Sequence, residues 1–230
     1  MSVFRAVRAA VPPLDPAFWR GRRAAREARA FDVRYGTDTV RMLPVAAMRD
    51  VPEGLAAHAV HYEASAIPKL RQALDAVTGA LGERLPAFAF LDVGSGKGLV
   101  VMQAARRRFR EVVGIEMAAE LVAIAERNAA RFAAAHPDAA PMRFVAGDAL
   151  ASSLPDAPLV VYLYNPFDAT LLAPFAARLE GAAAVDREIL VAYVNPVHRD
   201  VFDRPDRYDT LWDNGRVVVY RCRPGGGAPA

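Results

Sequence analysis

Between Phe88 and Val194, five short apolar runs alternate with stretches of helical periodicity, and no other feature narrows the fold as far. The runs are Phe88–Val93, Glu111–Ile115, Met142–Ala146, Leu159–Tyr164 and Ile189–Val194. The helical patterns between them are Leu99–Phe109, Ala118–Ala135 and Ala169–Leu179. Short, almost unbroken apolar runs are what strands buried on both faces look like. Strands joined through helices run parallel, because a parallel pair needs a long crossover. The alternation predicts an α/β three-layer sandwich, a mostly parallel sheet with helices on both faces. The end differs. Tyr208–Trp212 and Arg216–Tyr220 flank Asp213-Asn214-Gly215, and Asn-Gly supplies the positive φ values of a type I′ turn. A seven-stranded sheet finishing in an antiparallel hairpin is therefore expected.

Upstream of Pro86 the texture is helical. Asp15-Pro16 reads as an N-cap followed by proline at the first helical position, opening a helix to about Ala30. Phe31–Val51 reads as irregular, and Ser65 can cap a second helix to about Leu81, with Ile67, Leu70, Leu74 and Val77 at helical spacing. The expected division is an N-terminal helical cap over 1–85, the sheet domain over 86–223 and a disordered tail over 224–230. One cysteine, Cys222, rules out a disulfide framework and a cysteine zinc site, and no metal is expected. No apolar run approaches the roughly 20 residues that span a bilayer, and no secretory signal is legible, so a cytoplasmic protein without membrane partners is expected.

Charge is uneven. Residues 1–50 carry ten arginines against five acids, densest at Arg20, Arg22, Arg23, Arg26 and Arg29. That segment suits either contact with nucleic acid or an acidic partner, or simply a solvated helix face. Only Lys69 and Lys97 of the 29 basic residues are lysines.

The most informative stretch is Asp92-Val93-Gly94-Ser95-Gly96-Lys97-Gly98, which follows an expected buried strand and opens a helix. A P-loop needs Ser or Thr after Gly-Lys, and here Gly98 stands there. A dinucleotide fingerprint needs Gly or Ala three residues after its second glycine, and that position is Leu99. What remains is Asp-x-Gly-x-Gly-x-Gly. It resembles motif I of the class I S-adenosylmethionine-dependent methyltransferases, whose seven-stranded fold ends in such a hairpin. The resemblance implies S-adenosyl-L-methionine as cofactor, approached closely by Gly94, Ser95, Gly96 and Gly98, with Asp92 toward its amino-acid end. Glu116, ending the second strand, would take the ribose hydroxyls, and Asp148 with Ala149, after the third, would meet the adenine; Asp148 could equally be a helix cap. Three acids at successive strand ends lie where open α/β sheets bind ligands.

The fourth strand ends Tyr164-Asn165-Pro166-Phe167. In the family, a related segment with two prolines marks nitrogen methylation: a side-chain amide oxygen and a backbone carbonyl accept hydrogen bonds from the amino group, and the aromatic ring packs on the substrate. Asn165, Pro166 and Phe167 are thus the candidate catalytic set, with Asn165 ending the strand and Phe167 packing the next helix as the alternative. Methyl transfer is an in-line displacement, so alignment supplies much of the catalysis. Asn195-Pro196 reads as punctuation and His198 as a surface residue or a general base. Phe31-Asp32-x-x-Tyr35-Gly36-Thr37-Asp38-Thr39 and Tyr62-x-x-Ser65 are similar to the lead-in of small bacterial methyltransferases that carry the same single-proline motif, a likeness spanning residues 31–222. A looser likeness to non-SET histone-lysine methyltransferases implies that Tyr62 and Ser65 cover the cofactor. The expectation is a methyltransferase acting on an amine or amide nitrogen, with a protein or small-molecule acceptor favoured over nucleic acid, as monomer or dimer. Its rivals are a small-molecule O-methyltransferase and a non-catalytic nucleic-acid-binding protein that uses the arginine-rich helix.

Overall fold

A computed structural model of the protein describes residues 16–41, 67–183 and 187–224. Seven strands form one sheet in the order β3-β2-β1-β4-β5-β7-β6. They are β1 (Ala89–Val93), β2 (Glu111–Glu116), β3 (Met142–Ala146), β4 (Leu159–Leu163), β5 (Ile189–Val194), β6 (Tyr208–Asp213) and β7 (Val217–Cys222). The first five are mutually parallel, and β7 runs antiparallel to both β5 and β6. The three-layer sandwich with a terminal hairpin is the observed architecture.

Burial follows position in the sheet. Every residue of β1, β4 and β5 is buried, as strands covered on both faces require. The edge strands β3 and β6 are mostly half-buried or exposed. On one face, Leu172, Phe175 and Leu179 of α5 (Ala169–Ala183) pack against Leu91, Val161 and Val191. On the other, Leu70, Leu74 and Val77 of α2 (Ile67–Leu81) join Val100 and Val101 of α3 (Leu99–Ala105) over Phe90, Val160 and Leu190. Burying each such side chain contributes about 1.5–3 kcal/mol. The sequence places α2 in a cap; its packing makes it a layer of the sandwich.

Helix α1 (Pro16–Tyr35) runs five residues beyond the expected Ala30, because Phe31 and Tyr35, one turn apart, dock on Phe132 of α4 (Ala119–Ala135). Conversely α3 stops at Ala105 rather than Phe109. Phe109 leaves the helix and packs 5.0 Å from Phe90. The hairpin also departs from expectation. Only Gly215 has positive φ (76°), so the turn is not type I′. The Asn214 side-chain oxygen instead accepts the N–H groups of Arg216 and Val217, both at 3.0 Å, which holds the Asn214 backbone in the ordinary region. The expected caps at Asp15 and Ser65 and the tail beyond Pro224 lie outside the described residues. Among those described, no helix is long and apolar enough to cross a membrane.

Candidate active site

The order of strands reverses between β1 and β4, the switch point at which open α/β sheets hold ligands. Val93 pairs with Leu163 in register, so the glycine loop after β1 and the Tyr164–Phe167 segment after β4 emerge side by side. A Cβ on Gly94 would lie 3.5 Å from Cβ of Pro166. Two motifs about 70 residues apart in sequence thus form one cleft edge.

The loop is built for close approach. Gly94, Gly96 and Gly98 have φ of 75°, 52° and 83°, values that side chains resist. Gly98 is needed twice over, because a Cβ there would also stand 2.9 Å from the Phe144 ring. The Gly94 and Ser95 N–H groups donate to the Ile115 carbonyl at 2.9 and 3.0 Å, tying the loop to β2. Gly114 of β2 makes room for this. A Cβ at Gly114 would come within 2.6 Å of Ser95 Oγ and 2.8 Å of Phe144 Cδ1. We expect Gly114→Ala to cost about 1–3 kcal/mol in a urea melt, as overpacking does, and to weaken ligand binding by displacing Ser95. Unchanged stability would mean that Ser95 moves aside freely.

Three acids stand at or just beyond the ends of β1, β2 and β3, each in a different setting. Asp92 is 3% exposed and its Oδ2 has no hydrogen-bond partner, nor does the buried Ser95 Oγ. Burial, with the Glu116 carboxylate adding repulsion, holds the Asp92 carboxyl well above the usual carboxylate range. Two orphaned polar atoms at a glycine loop fit a ligand that brings its own donors, because buried groups ordinarily find partners. Glu116 is organised differently. Its Oε2 accepts the Gly96 N–H at 2.9 Å and its Oε1 the Ala118 N–H at 3.0 Å, leaving a further lone pair on each oxygen. Asp148 Oδ1 accepts the Leu150 N–H at 2.8 Å within a turn, and no helix follows, so it is not the helix cap weighed as the alternative; Oδ2 is left over. Ala149 is buried beside it.

Just beyond β4, Asn165 adopts a left-handed φ of 52°, and the Tyr193 hydroxyl donates to its Oδ1 at 3.0 Å. Phe167 takes the second of the two places read for it in the sequence. It is buried with its ring 5.7 Å from Phe175, so it packs α5 rather than presenting a face to substrate. Asn195 likewise has φ 53° and ends β5 by donating its N–H to the Arg216 carbonyl, the punctuation expected. Tyr62 and Ser65 lie outside the described residues. No group of three or more His, Cys, Asp or Glu is placed to hold a metal among those described.

The roles of two residues, Lys97 and Asn128, went unread in the sequence. Lys97, inside the glycine loop, is fully buried, and its ammonium meets Asp38 Oδ1 at 3.2 Å and the Arg41 carbonyl. Asn128 of α4 closes the same junction, accepting the Asp38 N–H at 2.9 Å and donating to the Lys97 carbonyl at 3.0 Å. The Phe31–Thr39 motif thereby acquires a structural meaning. Asp32 accepts from Thr37 Oγ1, Thr39 Oγ1 and the Thr39 and Val40 N–H groups, which folds the chain so that Asp38 reaches Lys97. The signal was available in composition. In a chain that otherwise uses arginine, both lysines are at this site; Lys69 Nζ stands 5.7 Å from the centroid of the Tyr164 ring.

Residues 90–179, which contain the loop and all three acids, match the methyltransferase-domain family model. Residues 90–179 carry a methyltransferase domain, set on the seven-stranded sheet. No curated protein is significantly similar to it in sequence. Among solved structures, the methyltransferase is similar to a ribosomal protein L11 methylase from Lactobacillus delbrueckii subsp. bulgaricus, at 16% identity and a TM-score of 0.49, over 69% of this chain and 80% of that one. It is also similar to an RNA methyltransferase from Salinibacter ruber in complex with S-adenosyl-L-homocysteine, at 22% identity and a TM-score of 0.44, over 70% and 94%. A magnesium protoporphyrin IX methyltransferase from Synechocystis PCC 6803 with bound cofactor gives 15% identity and 0.45, over 68% and 81%.

Proposed function

We propose that the domain moves a methyl group to an amine or amide nitrogen, and that the cytoplasm is where it acts. The observation that carries this reading is the juxtaposition of Asn165-Pro166 with the glycine loop. S-adenosylmethionine supplies a methyl on a sulfonium, an electrophile that needs alignment more than acid–base help. In this reading Asp92 and Ser95 take the amino-acid end, whose ammonium brings the donors their orphaned oxygens lack. Pairing would restore Asp92 to its charged form. The remaining lone pairs of Glu116 accept the ribose hydroxyls, and Asp148 Oδ2 the adenine amino group. Asn165 Oδ1 and the carbonyl after it accept the N–H groups of the acceptor and so aim its lone pair.

Asn165→Ala should lower transfer of labelled methyl into a dialysed bacterial lysate by about 10–100-fold, the effect of one lost orienting contact, at unchanged affinity for S-adenosylhomocysteine. An oxygen acceptor would tolerate the change, and full activity in Asn165→Ala would move the reading to O-methylation. Fractionating the label among protein, nucleic acid and small molecules identifies the acceptor class.

One observation favours a nucleic-acid contact in addition. Arg22, Arg23, Arg26 and Arg29 are all exposed on α1, whose opposite face is docked through Ala28, Phe31 and Tyr35. Binding to RNA or DNA that weakens steeply with salt, and is lost when Arg22, Arg26 and Arg29 are neutralised, would support it. Salt-insensitive or absent binding would leave these arginines as a solvated face.

A further inference from the structure

We propose that Tyr193 is a positioning residue for methyl transfer: its hydroxyl fixes which end of the Asn165 amide is turned toward the methyl acceptor. The proposal rests on the reading of Asn165 as the acceptor-orienting group. A primary amide has nearly the same shape in its two flipped orientations, yet one presents an oxygen that accepts and the other an NH2 that donates. For an amine or amide nitrogen acceptor, only the oxygen can receive its N–H. Backbone geometry cannot make that choice, because the left-handed φ of Asn165 sets where the amide lies and not which way it faces.

The hydrogen-bond chain makes it. The His198 N–H approaches the Tyr193 oxygen at 3.4 Å, and a backbone N–H can only donate. The phenol is left with its own proton to give, and the partner 3.0 Å away is Asn165 Oδ1. A flipped amide would set an N–H against the phenol and strand a buried phenolic proton, a cost that buried polar groups ordinarily avoid. The Tyr193 side chain has little freedom to swing away. It is fully buried on the interior strand β5, with its ring edge-on to Phe202 at 5.8 Å, and Phe202 stacks on Tyr220 at 5.6 Å. Burial also raises the phenol above its ordinary range, which favours the protonated donor.

Tyr193→Phe keeps the ring and removes only the hydroxyl. Expected are an unchanged affinity for S-adenosylhomocysteine and a three- to tenfold fall in labelled-methyl transfer to the dialysed lysate, roughly the worth of one net hydrogen bond. In the Asn165→Ala background the same change should have no further effect, whereas a purely structural role would be additive. A spectroscopic readout stands apart from activity. The Asn165 side-chain NH2 resonances, identified by their loss in Asn165→Ala, should shift in Tyr193→Phe. Wild-type transfer by Tyr193→Phe beside a crippled Asn165→Ala would overturn the role of Tyr193 alone. Undiminished transfer by Asn165→Ala would overturn the acceptor-site reading, and the positioning role with it.

Discussion

Asp92→Asn should stabilise the ligand-free protein and, at the same time, destroy most of its affinity for S-adenosylhomocysteine. Both effects come from one feature, a carboxyl that is 3% exposed with an oxygen that has no partner and an acid, Glu116, as its neighbour. A carboxyl whose pKa is raised by folding holds its proton to higher pH in the native state than in the unfolded one. Its cost is absent below the ordinary aspartate range and accumulates as pH rises through the raised native value, so native stability falls across that window. The amide introduced by Asp92→Asn carries no charge to desolvate. The amide is still a buried polar group, so the gain is the lost cost of the buried charge, about 1–3 kcal/mol at pH above the raised native value, which for a chain of this size is several degrees of melting temperature. The pH dependence across the window should flatten with it. In the complex the balance inverts, because a charge-assisted hydrogen bond is lost. At about 1.5–3 kcal/mol, titration calorimetry should register a roughly 10–150-fold weaker binding. Affinity equal to wild type would remove Asp92 from the cofactor site.

Asp38→Ala should destabilise the protein more than Lys97→Met, although the two residues form one ion pair. The asymmetry lies in burial: the Lys97 side chain is fully enclosed, while that of Asp38 is 33% exposed. Removing Asp38 leaves an ammonium inside the protein with the Arg41 carbonyl as its remaining partner at this junction. Removing Lys97 leaves a carboxylate that water can reach. Breaking a buried pair from the unfavourable side costs about 3–5 kcal/mol, and about 3 kcal/mol is expected here because the junction borders solvent. Lys97→Met should cost about 1–2 kcal/mol, since its partner can rehydrate. The double variant should recover part of the loss, a coupling that urea melts of the four proteins measure directly. Because the Lys97 carbonyl is held by Asn128, Asp38→Ala should also loosen the glycine loop and lower cofactor affinity. The opposite order of the two single variants would place the burial on the wrong partner.

The sheet was legible because its signals are local. Met142–Ala146 and Ile189–Val194 are the observed β3 and β5 to the residue, each an apolar run bounded by turn-forming polar groups or proline. Element ends were less so, where a distant partner competes. Phe31 and Tyr35 lengthen α1 because Phe132 receives them, and Phe109 shortens α3 because Phe90 does. Asn214-Gly215 announces a turn, but the turn type depends on whether the asparagine side chain bonds to its own loop. For Phe167 the motif left two places open, on the substrate or on the next helix, and the ring lies against Phe175 of α5.

By itself, then, the sequence determined the order of strands and helices, the glycine loop, and the position of an acid at the end of each of the first three strands or just beyond it. Short apolar runs, period-3.6 patterns and the φ demands of glycine are properties of a few consecutive residues. Tertiary structure alone decided the partners. Lys97 and Asp38 are 59 residues apart, and Tyr193 on β5 and Asn165 just beyond β4 are 28 apart, brought together by the pairing of those two strands. A hydrogen bond is specified by register and approach to within about 3 Å, and no local pattern encodes either.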